Sequence, residues 1–179
     1  QILTPWAQTQ PRKKQHKQSH KNINKHAVIL FRFPLQYWGG TDTHVFNNAK
    51  QLAEHGHKVI VFVTPFSKLE AELTKIGITC TYFNYADSAN TIAPALLKAC
   101  KAITADTVIG ITMPQLAAAK KVRKQLPINI ICERHTPITE IPVMIDHTMK
   151  AIDGVVCVSP DIAAQMKQYN VNKKLDIQH

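Results

Sequence analysis

Three consecutive pieces of the chain decide its fold: Ala27-Val28-Ile29-Leu30-Phe31, then Gly39-Gly40-Thr41-Asp42-Thr43-His44-Val45, then Gly56-His57-Lys58-Val59-Ile60-Val61-Phe62-Val63. The first piece is an unbroken apolar run, short enough for a strand covered on both faces. The second opens an amphipathic helix from about Thr41 to His55, with Val45, Phe46, Ala49, Leu52 and Ala53 on one side and Asn47, Asn48, Lys50, Gln51 and Glu54 toward water. Gly56 stops the helix and the third piece follows as a second strand. A glycine pair that opens a helix after a buried strand presents bare backbone N–H groups and the positive end of the helix dipole, a setting suited to a phosphate or another anion. The plainer reading of Gly39-Gly40 is a tight turn that needs positive φ. Asp42, in the first helical turn, is expected to offset part of any anion affinity.

Strand and helix signals alternate along the remainder. Strands are expected at Val28–Phe33, Lys58–Val63, Thr79–Phe83, Thr107–Ile111, Asn129–Cys132, Val155–Val158 and Leu175–Gln178, and helices at Ser67–Ile76, Ala89–Ile103, Pro114–Gln125 and Asp161–Tyr169. This alternation predicts an α/β fold: a Rossmann-like three-layer domain with a mostly parallel sheet over 27–179. Ligands of such sheets gather at the C-terminal ends of the strands. Here that edge holds Pro34–Gly40, Thr64-Pro65, Thr112–Pro114, Glu133–Pro142 and Ser159-Pro160.

Composition bounds the function. The net charge is +10, and residues 1–26 supply +6 of it through Arg12, Lys13, Lys14, Lys17, Lys21 and Lys25 with no acidic residue. The rest is only mildly basic, so no nucleic-acid partner is expected. Residues 1–26 have the composition of a flexible basic leader. They contain no apolar stretch that reads as a secretory signal, and no run in the chain approaches the roughly 20 apolar residues of a membrane span. A cytoplasmic location follows as the expectation, with peripheral membrane contact through the basic leader left open. Cys80, Cys100, Cys132 and Cys157 lack C-x-x-C pairing and read as small core hydrophobes in a reducing compartment, so no metal is expected.

Two further constellations stand at the ligand edge. Glu133-Arg134-His135-Thr136-Pro137 follows an apolar strand. Arg134 can grip a phosphate or carboxylate through two nitrogens, His135 can donate to a hydroxyl or titrate near neutrality, and Glu133 can orient either. A surface ion pair with a solvated histidine remains the plainer reading. Ser159-Pro160-Asp161 reads as a helix N-cap with proline at the first helical position, not as a nucleophile elbow, because no glycines flank the serine. Tyr37 and Trp38, beside the glycine pair, can line a cleft or stack on a sugar ring. The pattern argues against a nicotinamide site. The third glycine of G-x-G-x-x-G is missing, and Val63-Thr64 stands where an acidic residue would hold the ribose.

Taken together, these motifs resemble the N-terminal domain of GT-B glycosyltransferases, in particular the retaining family 4 (group 1) enzymes. The resemblance rests on Gly39-Gly40-Thr41-Asp42-Thr43-His44-Val45 against a GG-x-E-x-H-V pattern, on Leu52-Ala53 and Gly56-His57-Lys58-Val59, and on Asp153-Gly154-Val155-Val156-Cys157-Val158-Ser159. Asp42 replaces the commoner Glu. Leu175-Asp176-Ile177-Gln178-His179 resembles the strand that leads to the second, donor-binding domain, which is expected to be absent from these residues. The resemblance implies transfer of a sugar from a nucleotide-diphosphate donor to a hydroxyl of a glycan, lipid or small acceptor, with retention and without a metal or other cofactor. It assigns Gly39, Gly40 and Thr41 to the donor diphosphate and His135, or Arg134 in its place, to the transferred sugar. Tyr37, Trp38, His44, Glu133 and Ser159 are assigned to the cleft. This half alone is expected to be inactive. Two rivals are a sugar-nucleotide epimerase of the same architecture and a non-catalytic α/β binding module whose basic leader docks on membrane or RNA.

Overall fold

The computed structural model describes residues 24–32, 38–84, 86–135, 147–168 and 174–177. In chain order its elements are β1 (Ala27–Phe31), α1 (Gly40–Glu54), β2 (Lys58–Val63), α2 (Lys68–Lys75), β3 (Thr79–Tyr82), α3 (Ala89–Ile103), β4 (Thr107–Gly110), α4 (Met113–Arg123), β5 (Asn129–Arg134), β6 (Gly154–Cys157), α5 (Pro160–Gln168) and β7 (Lys174–Ile177). The strands form one seven-stranded sheet in the order β3-β2-β1-β4-β5-β6-β7, and every pairing is parallel. The α/β, Rossmann-like reading therefore holds. The strand order reverses between β1 and β4, and such a switch point leaves a crevice at the strand C-termini.

The apolar runs of the strands are continuous because both faces are covered, and the pleat sorts them. Ile29, Phe31, Ile60, Phe62, Val108, Ile130 and Cys132 turn to one side, where they pack with residues of α3, α4 and α5. Val28, Leu30, Val61 and Val63 turn to the other, against Val45 and Ala49 of α1 and Leu69 and Leu73 of α2. Phe31 stacks at 4.6 Å on Phe62 and meets Phe83 edge-on at 5.7 Å, which anchors the centre of the first side. Gly56, with φ of +81°, lets the chain leave α1 and enter β2 at once. Gly110 lies where α4 closes on β4: a Cβ there would come within 2.9 Å of Leu116 Cδ2, so a larger residue would make that side chain shift.

Cys100, Cys132 and Cys157 are buried in α3, β5 and β6 as expected, whereas Cys80, in β3, is only half-buried; all four are free thiols. Burial pushes the Cys80 and Cys100 thiols up to about 11, away from reactivity.

One boundary differs from expectation in a way that matters. β5 does not end at Cys132 but runs on through Glu133 and Arg134, both buried at 4% exposure. The polar pair is thus part of the sheet and not of a connector after it. Continued pairing with β6 explains this, because Glu133 and Arg134 sit in register with Val156 and Cys157. The basic leader through residue 23, Phe33, Tyr37, and the segment from Thr136 to Pro142 lie outside the described residues. Among the described residues, no helix is long and apolar enough to cross a membrane.

Candidate functional site

The site begins where β1 hands over to α1. Arg32, the residue after β1, is 2% exposed, and Asp42, in the first turn of α1, is 3% exposed. Arg32 Nε donates to Asp42 Oδ1 at 2.6 Å and Nη2 donates to Oδ2 at 3.1 Å. Oδ2 also accepts from the N–H of Gly39 at 3.3 Å, which closes the first turn from below. Asp42 is therefore neutralised inside the protein and does not oppose an anion at the helix end, contrary to the expectation from sequence. The Arg32 carbonyl accepts from Gln115 Nε2 at 2.9 Å, while Gln115 Oε1 accepts from the N–H groups of Ile111 and Thr112 at 2.9 and 3.1 Å. One buried amide thus ties the end of β1 to the end of β4 across the switch point.

The glycine pair does not need positive φ. Gly39 is the N-cap of α1 in extended backbone, with φ of −142°, and Gly40 is the first helical residue. Among the described residues, a Cβ at either position would meet nothing within 4 Å. The described part of the fold thus has room for side chains here. The N–H groups of Asp42 and Thr43 turn back to the Gly39 carbonyl, whereas those of Gly40 and Thr41 find no acceptor among the described residues. Two orphan donors thus stand at the positive end of a 15-residue helix.

Further along α1, His44 reaches the end of β5. Its Nε2 is in contact with Glu133 Oε1, and Asn48 presents its side-chain nitrogen to the same Nε2 at 2.9 Å. His135 joins them: its Nε2 lies 3.3 Å from Glu133 Oε1, off the hydrogen-bonding direction, and its ring meets that of His44 edge-on at 5.0 Å. Burial works to raise the Glu133 carboxyl, but contact with His135 and His44 outweighs it and holds the group down at about 2. His44 is raised by its contact with Glu133, against the opposing effect of burial.

The pleat separates the two residues that sequence left as alternatives for the sugar. Glu133 points to the α1 side of the sheet, with His44 and His135. Arg134 points to the opposite side, as do Cys132 before it and Cys157 beside it, whose thiol its charge lowers against the larger effect of burial. The glycine pair and His135 thus share a rim through α1, since His44 lies about 6 Å along the helix axis from Gly40.

The other candidates are scattered by comparison. Trp38 packs on the α1–α2 core with Lys68 Nζ 5.1 Å from its ring centroid, a partner unrelated to His44 or Glu133. Ser159 caps α5, its Oγ accepting from the N–H of Ile162 at 3.3 Å. Three residues were not singled out from sequence: Arg32, Gln115 and Asn48. An arginine in the run Phe31-Arg32-Phe33 was a usable signal, because a charge at the end of a buried strand needs a buried partner. For Gln115 and Asn48 the sequence offers no comparable sign.

A family model described as Glycosyltransferase Family 4 matches residues 38–179. No curated protein matches the sequence significantly. Among solved structures, the chain is similar to a glycosyltransferase from Rickettsia africae ESF-5, with 20% identity and a TM-score of 0.70 over 87% of this chain and 43% of that one. It is similar to Anabaena HepE, solved with UDP and glucose, at 11% identity and a TM-score of 0.64 over 85% of this chain and 44% of that one. It is also similar to Arabidopsis thaliana UGT89C1, solved with UDP-L-rhamnose, at 16% identity and a TM-score of 0.61 over 86% and 48%. At these identities the likeness shows the fold, and this chain spans less than half the length of each of the three.

Proposed function

Because the chain belongs to glycosyltransferase family 4, we propose that it forms the acceptor-side half of an enzyme that moves a sugar from a nucleotide-diphosphate donor to a hydroxyl acceptor with retention. The observation that carries this reading is the common placement, along α1, of the Gly40 and Thr41 backbone N–H groups, which have no acceptor among the described residues, and of the His44–Glu133–His135 cluster. The N–H groups would meet the donor diphosphate and stabilise its charge as it leaves, together with the helix dipole. His135 would hydrogen-bond the transferred sugar, held in place by the Glu133 carboxylate below it. His44 would steady that carboxylate from the helix. Gly39 leaves room for the close approach. The UDP and UDP-sugar bound to structures of this fold agree with such a donor.

Transfer by this arrangement calls on no metal and no other cofactor, and no side chain is assigned as nucleophile. The second domain of such enzymes would supply most of the donor contacts and close the cleft against water. The 179-residue chain alone is accordingly expected to show negligible turnover. Its location would be cytoplasmic, with any membrane contact made through the basic leader.

The test is to incubate the full protein with a panel of nucleotide-diphosphate sugars, with and without hydroxyl acceptors. Acceptor-dependent release of nucleoside diphosphate, with the product anomer read by NMR, supports the reading. Isomerisation of a donor with no acceptor present would instead indicate an epimerase. Consumption of no donor under any condition overturns both.

A further inference from the structure

We propose that His44, Glu133 and His135 form a binding site for a zinc-class divalent cation. One ligand atom from each residue lies within 4.8 Å of the other two. Each of these atoms is of a type that ligates a metal ion: an imidazole nitrogen from each histidine and a carboxylate oxygen from Glu133. The side-chain nitrogen of Asn48 lies 2.9 Å from Nε2 of His44, beside the same cluster. Nε2 of His135 is buried and has no hydrogen-bond partner among the described residues. Oε1 of Glu133 is a carboxylate oxygen, and Glu133 is 4% exposed. A positive ion between them can be held by all three at once.

The donor set selects the metal. Two imidazoles and one carboxylate suit zinc and its neighbours, whereas magnesium and calcium favour oxygen ligands. In a tetrahedral zinc site the ligand atoms stand roughly 3.4 Å apart. His135 Nε2 and Glu133 Oε1 already stand at 3.3 Å. His44, whose side chain is 25% exposed, has the freedom to draw back from Glu133 and admit the ion. Three protein ligands leave a fourth position for water or another ligand atom.

Cation binding itself does not depend on the proposed sugar transfer. Its consequence does rest on that reading: an ion here takes up the His135 nitrogen and the Glu133 carboxylate, so zinc inhibits transfer at this site.

Calorimetric titration of the full, metal-free chain with Zn2+ tests binding without reference to sugar chemistry. The expected result is one site, weakened at least tenfold in His44→Gln and in His135→Gln, unchanged in His57→Gln, and not reproduced by Mg2+. Co2+ in place of Zn2+ should show the strong visible absorption of a four-coordinate ion, lost in the same two variants. Circular dichroism of each variant separates loss of a ligand from loss of the fold, and the isosteric Glu133→Gln gives a further variant should one of the histidine changes unfold the chain. Absence of Zn2+ binding, or equal affinity in wild type and His44→Gln, overturns the proposal. Zinc binding that survives while no donor is ever consumed would sink the transferase reading alone.

Discussion

Arg32 holds Asp42 through two parallel hydrogen bonds, at 2.6 and 3.1 Å, with both side chains almost wholly removed from water. The pair joins the last turn of chain after β1 to the first turn of α1, and so sets the angle at which the helix end faces the crevice. Removing one partner of a buried pair strands the other charge and typically costs about 3–5 kcal/mol. Asp42→Asn should therefore lower the unfolding free energy by about that much, measured by urea denaturation. The double change Arg32→Met with Asp42→Leu should cost clearly less than Asp42→Asn. An additive or larger loss in the double variant would show that the pair is not an isolated buried couple.

Gly40 offers a clean separation of fold from function. The fold leaves space for a Cβ at this position, and φ is not positive. Gly40→Ala should leave stability unchanged or raise it by up to about 1 kcal/mol, since alanine favours the helix. If a diphosphate approaches this backbone, the same methyl should weaken binding of a nucleoside diphosphate to the full protein at least tenfold. Unaltered nucleotide affinity, read by calorimetry, would remove the glycine pair from the donor site.

The His44–Glu133 contact makes stability depend on pH with a definite sign. Glu133 is depressed in the folded protein to about 2, so its contribution is present above its ordinary value of 4.5 and fades as pH falls toward about 2. His44 is raised, so its contribution is complete below its ordinary value of 6.5 and is lost as pH climbs through the raised one. Among the described residues, His135 and the uncharged Asn48 also face the pair. The melting temperature of the chain in a chelator, minus that of His44→Gln, should thus peak between about pH 4.5 and 6.5 and shrink on either side. A difference that grows steadily above pH 7 would contradict the ion pair.

Gln115 is 1% exposed, and its amide serves three backbone groups. Gln115→Leu keeps most of the volume but leaves the N–H of Ile111 and the carbonyl of Arg32 in need of partners. Each buried polar group so stranded costs about 1–3 kcal/mol, so a loss of roughly 2–6 kcal/mol is expected in chemical denaturation. Gln115→Glu should recover part of it, because its carboxylate still accepts from Ile111 and Thr112.

Much of this protein was legible before any coordinates. Ala27–Phe31 and Lys58–Val63 are uninterrupted Val- and Ile-rich runs, and residues so apolar on both faces belong to a strand between two helical layers. The helix between them was visible in the 3.6-residue spacing of Val45, Ala49 and Leu52. Ser159 was readable as a cap because capping is a local matter of a few consecutive residues. Glu133, Arg134 and His135 were visible as polar residues at a strand end, but their roles were not, because the strand end itself was misplaced by two positions.

What the sequence determined by itself, then, is the order of strands and helices, the parallel sheet and the edge where ligands collect, since these follow from short-range periodicity and from the need to bury apolar faces. Tertiary structure alone decided which polar residues meet. Whether Arg134 or His135 shares a pocket with Glu133 depends on one step of the β5 pleat, and a single added residue of strand reverses the answer. Arg32 and Asp42 are ten positions apart, and His44 and Glu133 eighty-nine, yet each pair is in contact. No local pattern encodes such separations, because charge pairing and burial act through space and depend on how the layers close.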